Sequence, residues 1–310
     1  MRLLTFNAIK NYVDSVKKDT RLFDQVQTVR AKINQTFGHM GLDEVTHTYH
    51  SSKDPGKKYV SVTKLIEKFV PEKDWQMIAE QFAIKNKRDV QDVQDEWSVT
   101  GIKARALGTR THLFGEAVCT AILSYMDGKS DDEVMAIMED MLGRQVDITD
   151  GGEKCLVPVS VNEEKVSNFW IDIVDCQKVS LVPVAAELKI ENDNLGGYAG
   201  CIDLLMWSAE SNKIVVMDYK TNGSLENSFA RKGNERLLSP FSELINEALS
   251  EYTLQLAYYA RALVDGGAIT KDDIDDFVLI HVNSIGGKYK SKPEYNLVRV
   301  DSLNYIDRLV

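Results

Sequence analysis

The chain is poor in cysteine: Cys119, Cys155, Cys176 and Cys201 are its only four, and no two of them form a Cys-x-x-Cys pair. That spacing gives no local support to a zinc or iron–sulfur site, and the thiols read as buried and reduced, as in an intracellular protein. No apolar run approaches the ~20 residues that a membrane helix needs, so no membrane partner is expected. The first twenty residues lack an apolar core followed by a small-residue cleavage site, which argues against a secretory signal and leads to a cytoplasmic protein as the expectation. Gly-x-Gly-x-x-Gly, a P-loop, His-Glu-x-x-His and Gly-x-Ser-x-Gly are all missing. Their absence removes the commonest nucleotide, zinc-protease and hydrolase motifs.

Positive charge is also in short supply, with 37 Lys and Arg against 47 Asp and Glu, a net charge of −10. Phosphate attraction is the main sequence-independent term in nucleic-acid binding, so this balance at first argues against such a partner. Net charge does not report local fields, however, because an acidic metal site lowers the total without touching a basic groove. Basic clusters occur at Lys57-Lys58, Lys85 to Arg88, Lys103 to Arg110, Arg231 to Arg236 and Lys288 to Lys292. Each such cluster is more often a solvated face than a DNA contact, so composition leaves the partner open.

The 310 residues suffice for one large domain with an attached subdomain. The first ~40 residues have apolar positions at helical spacing, through Phe6, Ile9, Val13 and Val16, then Leu22, Val26 and Val29. Thr46 to His50 and Tyr59 to Val62 flank the turn-rich SSKDPGKK and predict a hairpin. Thr63 is the expected cap of a helix from Lys64 to Pro71, and residues 72 to about 100 predict one or two exposed helices. A longer helix is expected from Lys103 to Tyr125 and another near Asp132 to Leu142. Three strands follow, at Leu181 to Ile190, Tyr198 to Trp207 and Lys213 to Tyr219. Ser239 and Pro240 predict the start of a helix ending at Gly266-Gly267, and DDFVLIHVNS and PEYNLVRVD predict two further strands. The order describes an α+β, or mixed α/β, domain with a central mixed β-sheet flanked by helices.

The second and third strands carry the chemistry. A turn centred on Glu210-Ser211 sets Asp203 directly across from Asp218, and alternation of faces sets Lys220 beside Asp218. Two facing carboxylates repel. A divalent ion removes that cost, and oxygen ligands are those that Mg²⁺ or Mn²⁺ prefers. A turn near Asn194 in the preceding hairpin sets Glu187 close to Cys201, diagonal to Asp203 on the same face. His112 and Glu116 share a helix face at i, i+4. The competing reading of VVMDYKT is an edge strand with exposed charges. It leaves unexplained the acid at the matching position of the partner strand and the apolar run Ile214 to Met217.

GTRTHLFGEAV, AAELKI, YAGCIDLLMW, VVMDYKTN and QLAYYARAL occur in the order and approximate spacing seen in RecB-like members of the PD-(D/E)XK nuclease superfamily, and the resemblance covers roughly residues 101 to 265. THTYH followed by KYVSVTKLI is similar to the hairpin and helix start of phage exonucleases and the mitochondrial genome maintenance exonuclease. The resemblance implies a restriction-endonuclease-like core over residues 101–310, with an N-terminal helical and hairpin region over residues 1–100. It implies one or two Mg²⁺ or Mn²⁺ ions held by His112, Asp203, Asp218 and the main-chain carbonyl of Tyr219, with Lys220 orienting or helping to deprotonate water. Glu187 and Glu116 would be outer or second-ion ligands, Gln255 would position Lys220 or a nucleotide, and Tyr259 and Arg110 would lie near the substrate. The implied activity is cleavage of DNA, single-stranded or at duplex ends, as an exonuclease in recombination, repair or replication, with a separate helicase or recombinase as partner. The iron–sulfur subgroup has a cysteine trio near its C-terminus, and this chain has no cysteine after Cys201. A catalytically inactive nucleic-acid-binding module and a structure-specific or RNA-cleaving endonuclease of the same fold are the alternatives.

Overall fold

Amphipathic periodicity carries the start of the chain into helix. After the two-residue strand β1 (Leu4–Thr5), α1 (Phe6–Lys18) buries Phe6, Ile9, Tyr12, Val13 and Val16 along one face, and the Thr5 hydroxyl caps it by accepting Ala8 N–H. Asp19 caps α2 (Thr20–Phe37) in the same way through Leu22 N–H. This computed structural model describes residues 2–43, 46, 48–148, 152–282 and 294–309. The basic run from Lys288 to Lys292 lies outside them, as do the ends of the last two expected strands.

The chain continues through β2 (Met40–Asp43), β3 (Thr48–Ser51), β4 (Val60–Ser61), α3 (Val62–Glu67), α4 (Trp75–Asn86) and the long α5 (Val90–Met126). Next come α6 (Asp131–Leu142), β5 (Asp147–Ile148), β6 (Lys154–Leu156) and α7 (Val161–Val174). The remainder is β7 (Leu181–Asn192), β8 (Tyr198–Ser208), β9 (Lys213–Lys220), α8 (Ser228–Gly233), α9 (Ala248–Asp265), β10 (Ile274–His281) and β11 (Asn296–Arg299). The main sheet is mixed. Its path runs β11-β10-β9-β8-β4, with β7 along the other edge of β8, and β10 runs parallel to β9. The chain is thus of the α+β class, with helices flanking a central mixed sheet. No helix among the described residues is long and apolar enough to cross a membrane.

Several local expectations give way to tertiary pairing. The hairpin expected between residues 46–50 and 59–62 does not form. Instead β3 pairs back onto β2, helped by Asp43 Oδ1 accepting Thr46 N–H at 3.0 Å, and β4 adds in parallel to Tyr198 and Ala199 of β8. Ser61 rather than Thr63 caps α3, since its hydroxyl faces Lys64 N–H. Ser239-Pro240 does not open a helix. Leu238 N–H donates to Phe69 O and Leu237 N–H to Leu244 O, which commits this stretch to other partners, and α9 begins only at Ala248. The expected helix from Lys103 starts earlier, at Val90 behind an Asp89 cap, so residue 100 falls inside α5. Helix α7 was not expected from the sequence.

Tyr219 and Lys220 are neighbours in a strand and so face opposite sides of the sheet. Tyr219 meets α5 and α7: its hydroxyl accepts Trp170 Nε1–H at 3.0 Å, and its ring lies edge-on to Phe169. Lys220 meets α9. The sheet is therefore held between α5 and α9 at the end of β9. Gly115 permits the close approach of α5, because a Cβ there would lie 2.6 Å from Cζ of the buried Tyr219 ring. Gly115→Ala is expected to destabilise the protein, since overpacking of about 1–3 kcal/mol exceeds the gain of about 1 kcal/mol in helix propensity. A urea midpoint equal to that of the parent would show that α5 is free to withdraw.

Candidate functional site

The β8–β9 ladder runs from Ser208↔Lys213 to Leu204↔Met217 and ends there, whereas β9 stays beside β10 as far as His281↔Lys220. The observed register is the one expected from a turn centred on Glu210-Ser211, so Asp203 and Asp218 are the next opposed residues. On the same edge of β8, Tyr198 and Ala199 are already taken by β4. Residues 200–203 therefore have no ladder partner on that edge, and the two strands part into a wedge. Asp203 fills it. Its Oδ2 accepts Tyr219 N–H at 2.8 Å, replacing the main-chain acceptor that a continuing ladder would supply.

Asp203 is 9% exposed and Asp218 only 1%. Two buried carboxylates so close strongly disfavour each other's charge. Two cations offset this: His112 Nδ1 lies 3.2 Å from Asp203 Oδ2, and Lys220 Nζ lies 2.5 Å from Asp218 Oδ2. The Lys220 ammonium is thus the cation that already stands on Asp218 Oδ2.

Titration follows from this geometry. Burial alone would lower His112, but the carboxylates of Asp203 and Asp218 outweigh it and raise His112 to about 9. Burial works against the charge of Asp203 too, yet His112, Lys220 and Tyr219 N–H hold it below the usual carboxylate range. Asp218 goes the other way: burial and the charge of Asp203 push it up to about 6. Burial likewise opposes the Lys220 ammonium, and Asp218 and Asp203 keep it above its ordinary value.

Helix α9 fixes Lys220 from the other side. Gln255 Oε1 accepts from Lys220 Nζ at 3.1 Å, and Gln255 Nε2 donates to the Tyr259 hydroxyl at 2.6 Å. Tyr259 packs against β8 at Gly200, where a Cβ would lie 2.5 Å from its ring. Two aromatic residues near the site carried no assignment in the sequence. The Tyr252 ring lies 4.0 Å below Lys220 Nζ, and its hydroxyl donates to Asn222 Oδ1 at 2.7 Å. Tyr252 stands one helical turn before Gln255, so α-helical spacing was a usable signal. Tyr49 of β3 is half-buried, and its phenol is pushed up by burial first and then by Cys201, Glu187 and Asp203. Nothing local connects that hairpin to the site.

Glu187 is placed differently from the expected arrangement. The β7–β8 ladder pairs Ala186↔Leu204 and Leu188↔Ile202, which sets Glu187 opposite Asp203 itself rather than opposite Cys201. The partner moves by two residues along β8, so the face is kept. Glu187 has φ +46° in the middle of a strand, a conformation that costs on the order of 1 kcal/mol. Cys201 Sγ donates to its Oε2 at 3.0 Å. Burial and then Asp203 raise its carboxyl to about 7. Ligand atoms of His112, Glu187 and Asp203 all lie within 4.8 Å of one another, a group able to hold a metal ion. Asp218 stands outside that group, tied to Lys220.

One expected neighbour turns elsewhere, and one stays at the edge of the group. Arg110 is more than half exposed and turns to α7, where it and Arg144 bind the buried Glu163. Glu116 is half-buried one turn after His112, and its charge adds to the upward shift of Glu187. Tyr219 enters the site through its N–H. Several cations of the basic clusters are paired locally: Lys57 with Asp193, Arg88 with Glu96, and Arg231 with Glu226 and Glu247. All four cysteines are free thiols, Cys119 and Cys155 buried, Cys176 and Cys201 partly exposed. No protein-family model matches this chain, and no curated protein matches it.

In the metal-free protein, His112, Glu187 and Asp218 all bind protons more tightly folded than unfolded, where their values are about 6.5, 4.3 and 3.9. Each contribution to stability is therefore present at low pH and lost on raising it: for Asp218 between about 4 and 6, for Glu187 between about 4 and 7, for His112 between about 6.5 and 9. The lowered Asp203 acts below this window. The melting temperature of the metal-free protein is expected to fall from about pH 5 to about pH 9, with a shallower slope below about pH 7 in Glu187→Gln. Identical slopes in parent and variant would remove Glu187 from the coupled group.

Proposed function

We propose that this chain is a divalent-metal-dependent nuclease of the PD-(D/E)XK superfamily, in its RecB-like branch. It hydrolyses phosphodiester bonds in DNA, working from ends in the cytoplasm. One observation carries the reading: at the end of β9, a wedge holds the Asp203–Asp218 pair, His112, Glu187 and a fixed Lys220. The five ordered sequence segments supply the family.

The donor set fits the ion. Carboxylate oxygens suit Mg²⁺ and Mn²⁺, and an imidazole suits Mn²⁺ better than Mg²⁺. His112, Glu187 and Asp203, with Asp218 and the Tyr219 carbonyl, would hold it. When bound, the ion supplies polarisation of the scissile phosphate and a water acidic enough to attack near neutral pH.

The residues of the chain then divide the remaining work. Lys220 is held as a cation by Asp218, Gln255 and Tyr252, so it orients the attacking water and offsets charge on the phosphorane rather than removing a proton. Gln255 and Tyr259 keep Lys220 in place, and His112 compensates the charge of Asp203 when no ion is present.

The test uses end-labelled single- and double-stranded oligonucleotides, an RNA of the same sequence and a closed circular DNA. Cleavage of linear DNA is expected with Mg²⁺ or Mn²⁺ and none with a chelator. Lys220→Ala and Asp218→Ala are each expected to lose roughly 10²–10⁴-fold in rate with an unchanged circular-dichroism spectrum. Full activity in both variants would sink the site. Binding without cleavage would make the chain a recognition module, and cutting of the circle or of RNA would make it an endonuclease or a ribonuclease.

A further inference from the structure

The wedge is open on one side. Asp203 and Asp218 are buried and the Lys220 side chain keeps only 12% of its surface, whereas those of His112, Glu187 and Lys189 keep 31%, 23% and 28%. Lys189 stands two residues after Glu187 on β7 and pairs with Cys201 of β8. Its Nζ comes to 3.9 Å of Glu187 Oε2, the oxygen that accepts the Cys201 thiol at 3.0 Å. That distance lies outside hydrogen-bond range, so the ammonium stands beside the carboxylate without being seated on it. Lys220 is held differently, with Asp218, Gln255 and the Tyr252 ring fixing it from three directions. Of these two lysines, Lys189 is the one at the mouth.

We propose that Lys189 is a substrate-binding residue: its ammonium holds a non-bridging oxygen of one phosphodiester in the strand presented to the wedge. The inference rests on the nuclease reading above and adds to it a residue that the reading leaves without a role. A strand that reaches the acidic group crosses the open side, where Lys189 stands. In the ion-free protein the Glu187 carboxylate attracts this lysine. Once Glu187 is committed to an ion, that attraction is cancelled and the ammonium needs another anion beside it. A phosphate oxygen meets the need, because hydrogen bonds between an ammonium and a phosphate are short and strong. Lysine suits such a contact as a point charge on a flexible stem. Lys189 thus fixes the strand, and Lys220 acts on the attacking water. No bond is made or broken at Lys189, and no proton leaves it.

The test reads DNA binding rather than cleavage. Binding of a single-stranded oligonucleotide is followed by fluorescence anisotropy over a range of salt with Ca²⁺, which takes the same oxygen ligands. The proteins are the full-length parent, Lys189→Met and Lys189→Arg. Lys189→Met is expected to bind roughly tenfold more weakly. Its slope of log Kd against log salt is expected to fall by about 0.7, while Lys189→Arg keeps the parent slope. A single neutral methylphosphonate, moved along the strand, is expected to weaken the parent at one linkage and to cost Lys189→Met nothing further there. An unchanged slope in Lys189→Met would overturn the inference, even if affinity fell, by leaving the lysine a structural role. Cleavage by the parent in that case would keep the nuclease reading, whereas a parent that neither binds nor cuts DNA would remove both. If Lys189→Met does not fold, acetylation of Lys189 in the parent decides. Mass spectrometry is expected to find it acetylated with Ca²⁺ alone and protected by the oligonucleotide. Equal acetylation in both, or none in either, would overturn the inference.

Discussion

The separation of β9 from β8 after Leu204↔Met217, with Asp203 set into the gap, is the constraint on which the site depends. Continued pairing would have satisfied Tyr219 N–H with a main-chain carbonyl. Using a buried carboxylate instead brings a negative charge opposite a second one, Asp218. Such a pair is costly in a low-dielectric interior unless cations stand beside it. The protein places one cation on each carboxylate and draws them from different elements: His112 from α5 and Lys220 from β9 itself.

The flanking helices follow from that requirement. Helix α5 must lie close enough for His112 to reach Asp203, and Gly115, one turn on, lets it settle onto Tyr219. Trp170 of α7 pins the Tyr219 hydroxyl from behind. On the opposite face, Lys220 would be free to turn away from Asp218 without Gln255 and the ring of Tyr252. Gln255 is in turn tied to Tyr259, which is seated on Gly200 of β8. The support thus returns to the strand that carries Asp203, so both walls of the wedge are braced by its own flanking helices.

A divalent ion bound as proposed would answer the difficulty raised by a net charge of −10. Asp203, Asp218 and Glu187 stand where such an ion would reverse the sign of the local field. Elsewhere, several cations of the basic clusters are spent on neighbouring acids. Selection of a polyanionic substrate by such a chain would depend on the loaded ion more than on its surface charge.

What the sequence by itself determined is what short-range geometry carries. Alternation with period two and a tight turn at Glu210-Ser211 put Asp203, Asp218 and Lys220 together, because a short hairpin has little freedom of register. Helical spacing located most of the helices and the one-turn relation of Gln255 to Tyr259. Longer connections were not legible in this way. The loop between β7 and β8 admitted more than one register, so Glu187 came to rest opposite Asp203 instead of diagonal to it. The parallel addition of β4 to β8, the late start of α9 and the roles of Tyr49 and Trp170 all join residues far apart in the chain. Periodicity tells which face of an element is apolar but not which partner will cover it, and only the packed structure could decide that Cys201 would lie on Glu187 and Tyr252 beneath Lys220.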